Sequence, residues 1–304
     1  MTPAIHTEGL TKHYGKVEAL VDLSLDIGPG EVFGFLGPNG AGKTTMIRTV
    51  LDEIRPTAGR AQILGMDTHT ESVPIRRRIG YLPGDLAMYP NLTGHDLLTY
   101  FANLRGGVDW AHVDRLAERL GEDLSKKVGD LSTGNRQKVG LIQAFMNAPD
   151  LLILDEPSTG LDPLVQREFQ MMLREVAEDG RTVFLSSHTL SEVQRVADRV
   201  GIIRHGRLIA LETVSELRRK AIRRVELEFA GPVPDRELSA VAGVRELLTD
   251  GWRATLSFEG EMPALLAATS GHELRDVSTQ DADLEEIFLA YYHDEETQHD
   301  EATL

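Results

Sequence analysis

Gly37 to Thr44 carry the spacing G-x-x-x-x-G-K-[ST], and each part of that pattern suits the holding of a polyphosphate. Gly37, Asn39, Gly40 and Gly42 can take backbone angles closed to most residues, so consecutive N–H groups turn inward around an anion. Lys43 is then placed to reach β- and γ-phosphates, and the Thr44 hydroxyl to ligate the Mg²⁺ they share. A second group lies after the apolar run Leu151 to Leu154, which ends in Asp155, Glu156 and Pro157. A carboxylate at the carboxyl end of a central strand faces the crevice where doubly wound sheets bind ligands. Asp155 is therefore expected as a direct or indirect Mg²⁺ partner, and Glu156 as a base ordering water against the γ-phosphate. His188 closes another apolar run, TVFLSS. A lone histidine is more often structural, but one level with Asp155 would point into the same crevice and sense a γ-phosphate by hydrogen bonding.

These residues need strands and helices to position them. Val32, Phe33, Phe35 and Leu36 read as the strand before the phosphate loop, and a helix comes after it, aiming its positive end at the anion. Upstream, Val21, Leu23, Leu25 and Ile27 alternate with polar residues, the period of a half-buried strand. Ala4 to Ile27 thus predicts a small antiparallel sheet with Tyr14 and Gly15 in a turn. An aromatic beside a glycine is usually packing, but an exposed ring there can also stack on a base. AQILGMD reads as a strand, Pro83 to Gly94 as an ordered loop, and Thr93 to Leu120 as a helical insert broken at Gly106 and Gly107. LSTGNRQ, Leu131 to Gln137, opens a further helix. Ser132 with Thr133 and Gly134 at that start makes an ordinary cap, and the same geometry offers free N–H groups to a phosphate. A helix over SEVQRVADR and strands over VGIIR and RLIAL complete the domain near Leu211.

The 304 residues leave room for one large domain and a smaller one. There is no cysteine, so disulfides and cysteine-held metals are excluded. No stretch approaches the ~18 apolar residues of a membrane span, and the first residues lack the order of a signal peptide, which predicts a cytoplasmic chain. The net charge of −16 is unevenly placed: Val225 to Leu304 hold 4 basic and 19 acidic residues, against 28 and 29 before them. The step marks a boundary, and the acidic part argues against nucleic acid as its partner. We expect domains at residues 1–220 and 221–292 and a disordered tail at 293–304. The second reads as β-α-β-β-α-β, the ferredoxin-like order, with a helix over DLEEIFLAYY after it.

Taken together, the motifs between Ala4 and about Lys220 resemble those of the ATP-binding subunits of ABC transporters. Tyr14 stands where that family stacks adenine, which favours stacking over packing. GPNGAGKTT is similar to its Walker A loop, which adds Pro38, Ala41 and Thr45 to the residues expected around ATP. LSTGNRQ resembles the signature, LLILDEP the Walker B strand with its catalytic glutamate, Ser158 to Asp162 (STGLD) the D-loop, and His188 the switch histidine. Two departures stand out. The usual signature LSGGQ has Gly and Gln where this chain has Thr133 and Asn135. A glutamine that normally comes after a Tyr-Leu-Pro sequence and links the Mg²⁺ site to the membrane subunit is replaced by Gly84 and Asp85, with Asp85 the expected substitute. Both departures and the DLEEIFLAYY ending look like the ABC-2 class, in which drug and antibiotic exporters pair with a separate permease.

The resemblance implies an α/β P-loop fold of the ABC ATPase type, with an antiparallel β subdomain, a helical insert and a small α+β domain behind it. It implies ATP and Mg²⁺ as cofactors, with hydrolysis between two head-to-tail copies. Lys43, Thr44, Asp155 and Glu156 of one copy would face Ser132 and Gly134 of the other, the permease holding the pair to the inner face of the membrane. Translation-type relatives carry two such domains per chain and repair-type relatives a long coiled coil. One domain and a short insert disfavour both. A regulator without turnover would be expected to lack the base, and Glu156 is present.

Overall fold

The computed structural model describes residues 2–220, 223–260 and 262–280. In chain order they form β1 (Ile5–Tyr14), β2 (Val17–Ile27), β3 (Val32–Leu36), α1 (Lys43–Val50), β4 (Ala58–Ile63), β5 (Met66–Asp67), α2 (Ser72–Arg78) and β6 (Ile79–Leu82). Next come α3 (Gly94–Arg105), α4 (Trp110–Leu120), α5 (Thr133–Phe145), β7 (Leu151–Asp155), α6 (Pro163–Glu178), β8 (Thr182–Ser187), α7 (Leu190–Val193), β9 (Arg199–Arg204) and β10 (Arg207–Thr213). The last elements are α8 (Val214–Lys220), β11 (Arg223–Phe229), α9 (Asp235–Ser239), β12 (Val244–Asp250), β13 (Arg253–Phe258), α10 (Met262–Ala268) and β14 (Leu274–Gln280). The chain divides between Leu211 and Glu212 into two compact units, ahead of the boundary expected after residue 220.

In the first unit, a four-stranded antiparallel sheet runs β2-β1-β4-β5 and a six-stranded sheet runs β10-β9-β3-β8-β7-β6. From β9 to β6 the second sheet is parallel. Its strands read as continuous apolar runs because both faces are covered, and β3, β7 and β8 are buried along their whole length. Leu10, Leu20 and Leu23 of the first sheet share one core with Phe33, Phe35, Ile153 and Phe184 of the second and with Met46 and Ile47 of α1. Each such fully buried side chain stabilises the fold by ~1.5–3 kcal/mol. Register aligns the strand ends: Leu36 pairs with Ser187 and Asp155 with Ser186, so β3, β7 and β8 end level with one another.

The helical insert has the signals the sequence predicts. Thr93 and Asp96 form a capping box at the start of α3, and Gly106 ends it in the left-handed region at φ 88°. Asp109 caps α4, whose buried Val113, Leu116, Ala117 and Leu120 recur at helical spacing. Two expected elements differ. AQILGMD is not one strand, because Leu64 and Gly65 both take positive φ and turn the chain between β4 and β5. The helix expected over SEVQRVADR stops at Val193. Asp198 holds Val32 through its carboxylate and its own N–H, and the chain must leave the helix early to deliver it to β3.

The second unit contains an antiparallel sheet in the order β12-β13-β11-β14. With α9 and α10 as its crossovers this is the expected ferredoxin-like topology. Val225, Leu227, Phe229, Leu238, Ala254, Leu256, Phe258 and Leu265 close a core of its own. The helix expected over DLEEIFLAYY and the tail at 293–304 lie outside the described residues.

Candidate nucleotide site

The site is built where β3, β7 and β8 end together. The loop leaving β3 is forced into a tight cradle. A Cβ at Gly37 would stand 2.5 Å from the Ile203 carbonyl, and one at Gly42 2.6 Å from the Ala19 carbonyl, at a φ of 114° closed to other residues. Gly40 also takes positive φ, whereas Asn39, expected to do the same, does not. α1 starts at Lys43 with no side-chain cap, so the first-turn N–H groups of Lys43, Thr44 and Thr45 are left for a ligand. They open onto a cleft of about 250 Å³ lined by Pro38, Asn39, Gly40, Gly42 and Glu156, among others. Ala41 is buried beneath the loop, and its carbonyl accepts from Gly206 N–H.

The charged groups converge on this cradle. Lys43 is buried, and its Nζ donates to the Gly37 carbonyl at 2.6 Å. The same ammonium lies 3.2 Å from Glu156 Oε1, a buried oxygen that accepts no hydrogen bond from the described residues. The other oxygen, Glu156 Oε2, is 2.8 Å from His188 Nδ1. Asp155 is 1% exposed, and its Oδ2 accepts from Thr44 Oγ1 at 2.8 Å while Oδ1 accepts from Ser186 Oγ. Five of the predicted residues, Lys43, Thr44, Asp155, Glu156 and His188, are thus brought together.

The residues fit a nucleotide with its metal. An uncapped helix start beside a lysine answers a phosphate chain. A hydroxyl and a carboxylate in contact offer the hard oxygens that Mg²⁺ prefers. A buried carboxylate oxygen without a hydrogen bond is an acceptor in want of a donor, which a bound water can supply. The volume suits the phosphates better than a whole nucleotide, since pockets for whole ligands run from ~300 Å³ upward.

Four predicted residues stand apart. Tyr14 is 48% exposed at the hairpin turn, with Lys12 Nζ 5.1 Å from its ring centre, and does not line the cleft. Val17, Glu18 and Ala19 on the following strand do. Ser132 caps α5, accepting from Asn135 N–H at 3.2 Å, and neither it nor Gly134 lines the cleft. Asp85 is exposed and its side chain makes no hydrogen bond or ion pair among the described residues. Its neighbour Gly84 is the residue at Asp155, where a Cβ would stand 3.1 Å from Oδ2.

Two polar residues of the site escape a reading of the sequence. Ser186, fully buried, binds Asp155 through its hydroxyl and also accepts from Glu156 N–H at 3.1 Å. That N–H matters because Glu156 sits at φ 49°, a left-handed conformation costing ~1–3 kcal/mol unless its surroundings enforce it. Gln137 lies on the buried face of α5, four residues before Leu141. An amide at an inward helical position is the signal that could have found it. On β6, burial first and then the carboxylates of Glu53 and Asp155 hold the Tyr81 phenol well above its usual range.

A larger groove of about 570 Å³ in the same unit is lined by Val73, Arg76, Arg77, Phe101, Leu104 and Arg105, among others.

Comparison with known proteins agrees with this geometry. The family model described as ABC transporter matches residues 20–159. The chain is 36% identical over 233 residues to the bacitracin transport ATP-binding protein BcrA of Enterococcus faecalis, covering 76% of each. It is 35% identical over 306 residues to the daunorubicin/doxorubicin resistance ATP-binding protein DrrA of Streptomyces peucetius, covering 95% of this chain and 92% of that one. Among solved structures, an ATP-binding subunit of an ABC transporter superposes with a TM-score of 0.65 at 31% identity, over 72% of this chain and 92% of the other. Motifs, cradle and relatives coincide, and the chain belongs to the family of ABC transporter ATP-binding proteins.

Proposed function

We propose that this chain hydrolyses ATP to drive export through a separate membrane permease of the ABC-2 class, two copies closing head to tail on the nucleotide. The observation that carries this reading is the meeting of Lys43, Glu156 and the Thr44–Asp155 pair at the uncapped start of α1. Lys43 and the first-turn amides bind and orient the β- and γ-phosphates. Thr44 and Asp155 hold Mg²⁺, which supplies positive charge where negative charge accumulates in phosphoryl transfer. Glu156 accepts a proton from the attacking water, and His188, hydrogen-bonded to Glu156, keeps its carboxylate turned toward that water. Tyr14 stacks on the base. Ser132 and Gly134 face the partner copy's nucleotide.

Relatives named for bacitracin transport and daunorubicin resistance support export. Among the described residues no helix is long and apolar enough to cross a membrane, and the path for cargo is assigned to the separate permease. The large groove, with Phe101 and Leu104 beside three arginines, supports a permease contact there. It would hold the chain at the inner face of the membrane. Residues 221–292 serve dimer stability or regulation, and no nucleic acid is involved. The test is Mg²⁺-dependent phosphate release from ATP by the chain purified with its permease. Release that is absent from the wild type, or undiminished in Lys43→Ala, overturns the reading.

A further inference from the structure

Glu156 occupies a conformation that its own residue type disfavours, so neighbouring groups must hold it. Its N–H is held by Ser186. On the far side the hold comes from another element altogether. Gln137, 6% exposed in the second turn of α5, donates its side-chain amide to the Pro157 carbonyl at 3.0 Å and lies 3.5 Å from the Glu156 carbonyl. Pro157 is buried, and Gln137 is the partner its carbonyl has among the described residues. A second contact joins the same two segments: a Cβ at Gly134 would stand 2.4 Å from the Gly160 carbonyl, so α5 and the loop after Glu156 touch backbone to backbone.

We propose that Gln137 is a positioning residue for Glu156. By holding the Glu156–Pro157 carbonyls it sets where the Glu156 carboxylate lies against Lys43 and His188. The inference rests on the reading of Glu156 as the group that activates water. It has a consequence for the dimer. The first turn of α5, which carries Ser132 toward the partner's nucleotide, and the carboxylate serving the chain's own nucleotide belong to one fastened piece. Seating of the signature end on one nucleotide therefore bears on the geometry at the other.

The test compares wild type, Gln137→Met, Glu156→Gln and the double variant. It measures kcat and KM for phosphate release, and the dissociation constant of a non-hydrolysable ATP analogue. Methionine keeps the bulk and removes the donor. Gln137→Met should lower kcat about ten- to a hundredfold, the scale of a misplacement near 1 Å, and leave the analogue's dissociation constant within about twofold. In the Glu156→Gln background it should cost nothing more, because a residue acting through Glu156 has nothing left to position. An unchanged kcat overturns the proposal, as does an equal fall on top of Glu156→Gln. Should Gln137→Met fail to fold, Gln137→Glu, of the same shape without the donors, takes its place in the cycle. A wild type without turnover overturns the reading of function itself and this inference with it.

Discussion

The Lys43 ammonium lies 3.2 Å from Glu156 Oε1, so the cation of the phosphate loop and the carboxylate that follows β7 are in direct ion-pair contact. Removing either charge should therefore fail in a different way. Glu156→Gln keeps the shape, relieves Lys43 of a competing anion and removes the base. It should bind MgATP at least as well as wild type and hydrolyse it ~10²–10⁴-fold more slowly. Turnover at the wild-type rate would take Glu156 out of the mechanism.

Lys43→Ala should fail earlier. The buried ammonium is the full positive charge lining the cleft, and without it the phosphates keep only the helix-start amides, a term of ~0.3–2 kcal/mol for a unit charge. Nucleotide affinity measured by calorimetry should fall by an order of magnitude or more. An unchanged dissociation constant would remove Lys43 from the site.

How far these residues could be read beforehand depends on which physics fixes them. Gly37, Gly42 and Lys43 are local: a strand, a tight turn and a helix start are written in consecutive residues. Asp155 and His188 were legible because buried parallel strands show as unbroken apolar runs, and in such sheets the strand ends mark the crevice. Ser186 and Gln137 were not, because their partners are distant in sequence and a polar residue in a buried element looks the same whether it is satisfied by its own backbone or by a catalytic loop. The early end of α7 at Val193 has the same origin: Asp198 is drawn to Val32, and tertiary demand overrides local propensity. Positive φ at Leu64 leaves no trace in its residue type.

Glu122 offers a test by pH. It is 9% exposed, and Oε2 has no hydrogen-bond partner among the described residues. Burial pushes its carboxyl up from an ordinary 4.5, against the pull of Lys138 and Lys126. Above 4.5 the unfolded chain gives up this proton first, so the native state binds more protons and stability falls as pH rises through the window up to the folded value. Glu122→Gln should raise the melting temperature near pH 7 and lose that advantage below 4.5. A lower melting temperature near neutrality would mean that the two lysines outweigh burial.

Removing residues 223–304 should leave the nucleotide site intact. Every residue placed in the site belongs to the first unit, and the second closes its own core around Phe229, Leu256 and Phe258. Nucleotide affinity should match that of the full chain, with the loss appearing in dimer stability or in control through the permease. A truncated chain that folds by circular dichroism and no longer binds ATP would place part of the site in the second unit.

The head-to-tail arrangement can be tested by mixing two defective chains. A helix start can serve a phosphate only if it faces one, and within one copy Pro38 to Gly40 and Gly42 to Thr45 line the cleft proposed for the phosphates while Ser132 lies outside it. If Ser132 serves the partner, every site combines the phosphate loop of one copy with the α5 start of the other. Lys43→Ala homodimers and Ser132→Arg homodimers then have two defective sites each. In the mixed dimer both lesions fall in one site and the opposite site is wild type throughout. Mixing the two variants should therefore restore hydrolysis that neither shows alone, seen at least as a single turnover where the two sites must otherwise cooperate. Cross-linking establishes that the mixed dimer forms, because a copy that cannot bind ATP dimerises poorly. A mixed dimer that forms and hydrolyses nothing, even once, would leave Ser132 with the one role its geometry already displays, the cap that accepts from Asn135 N–H.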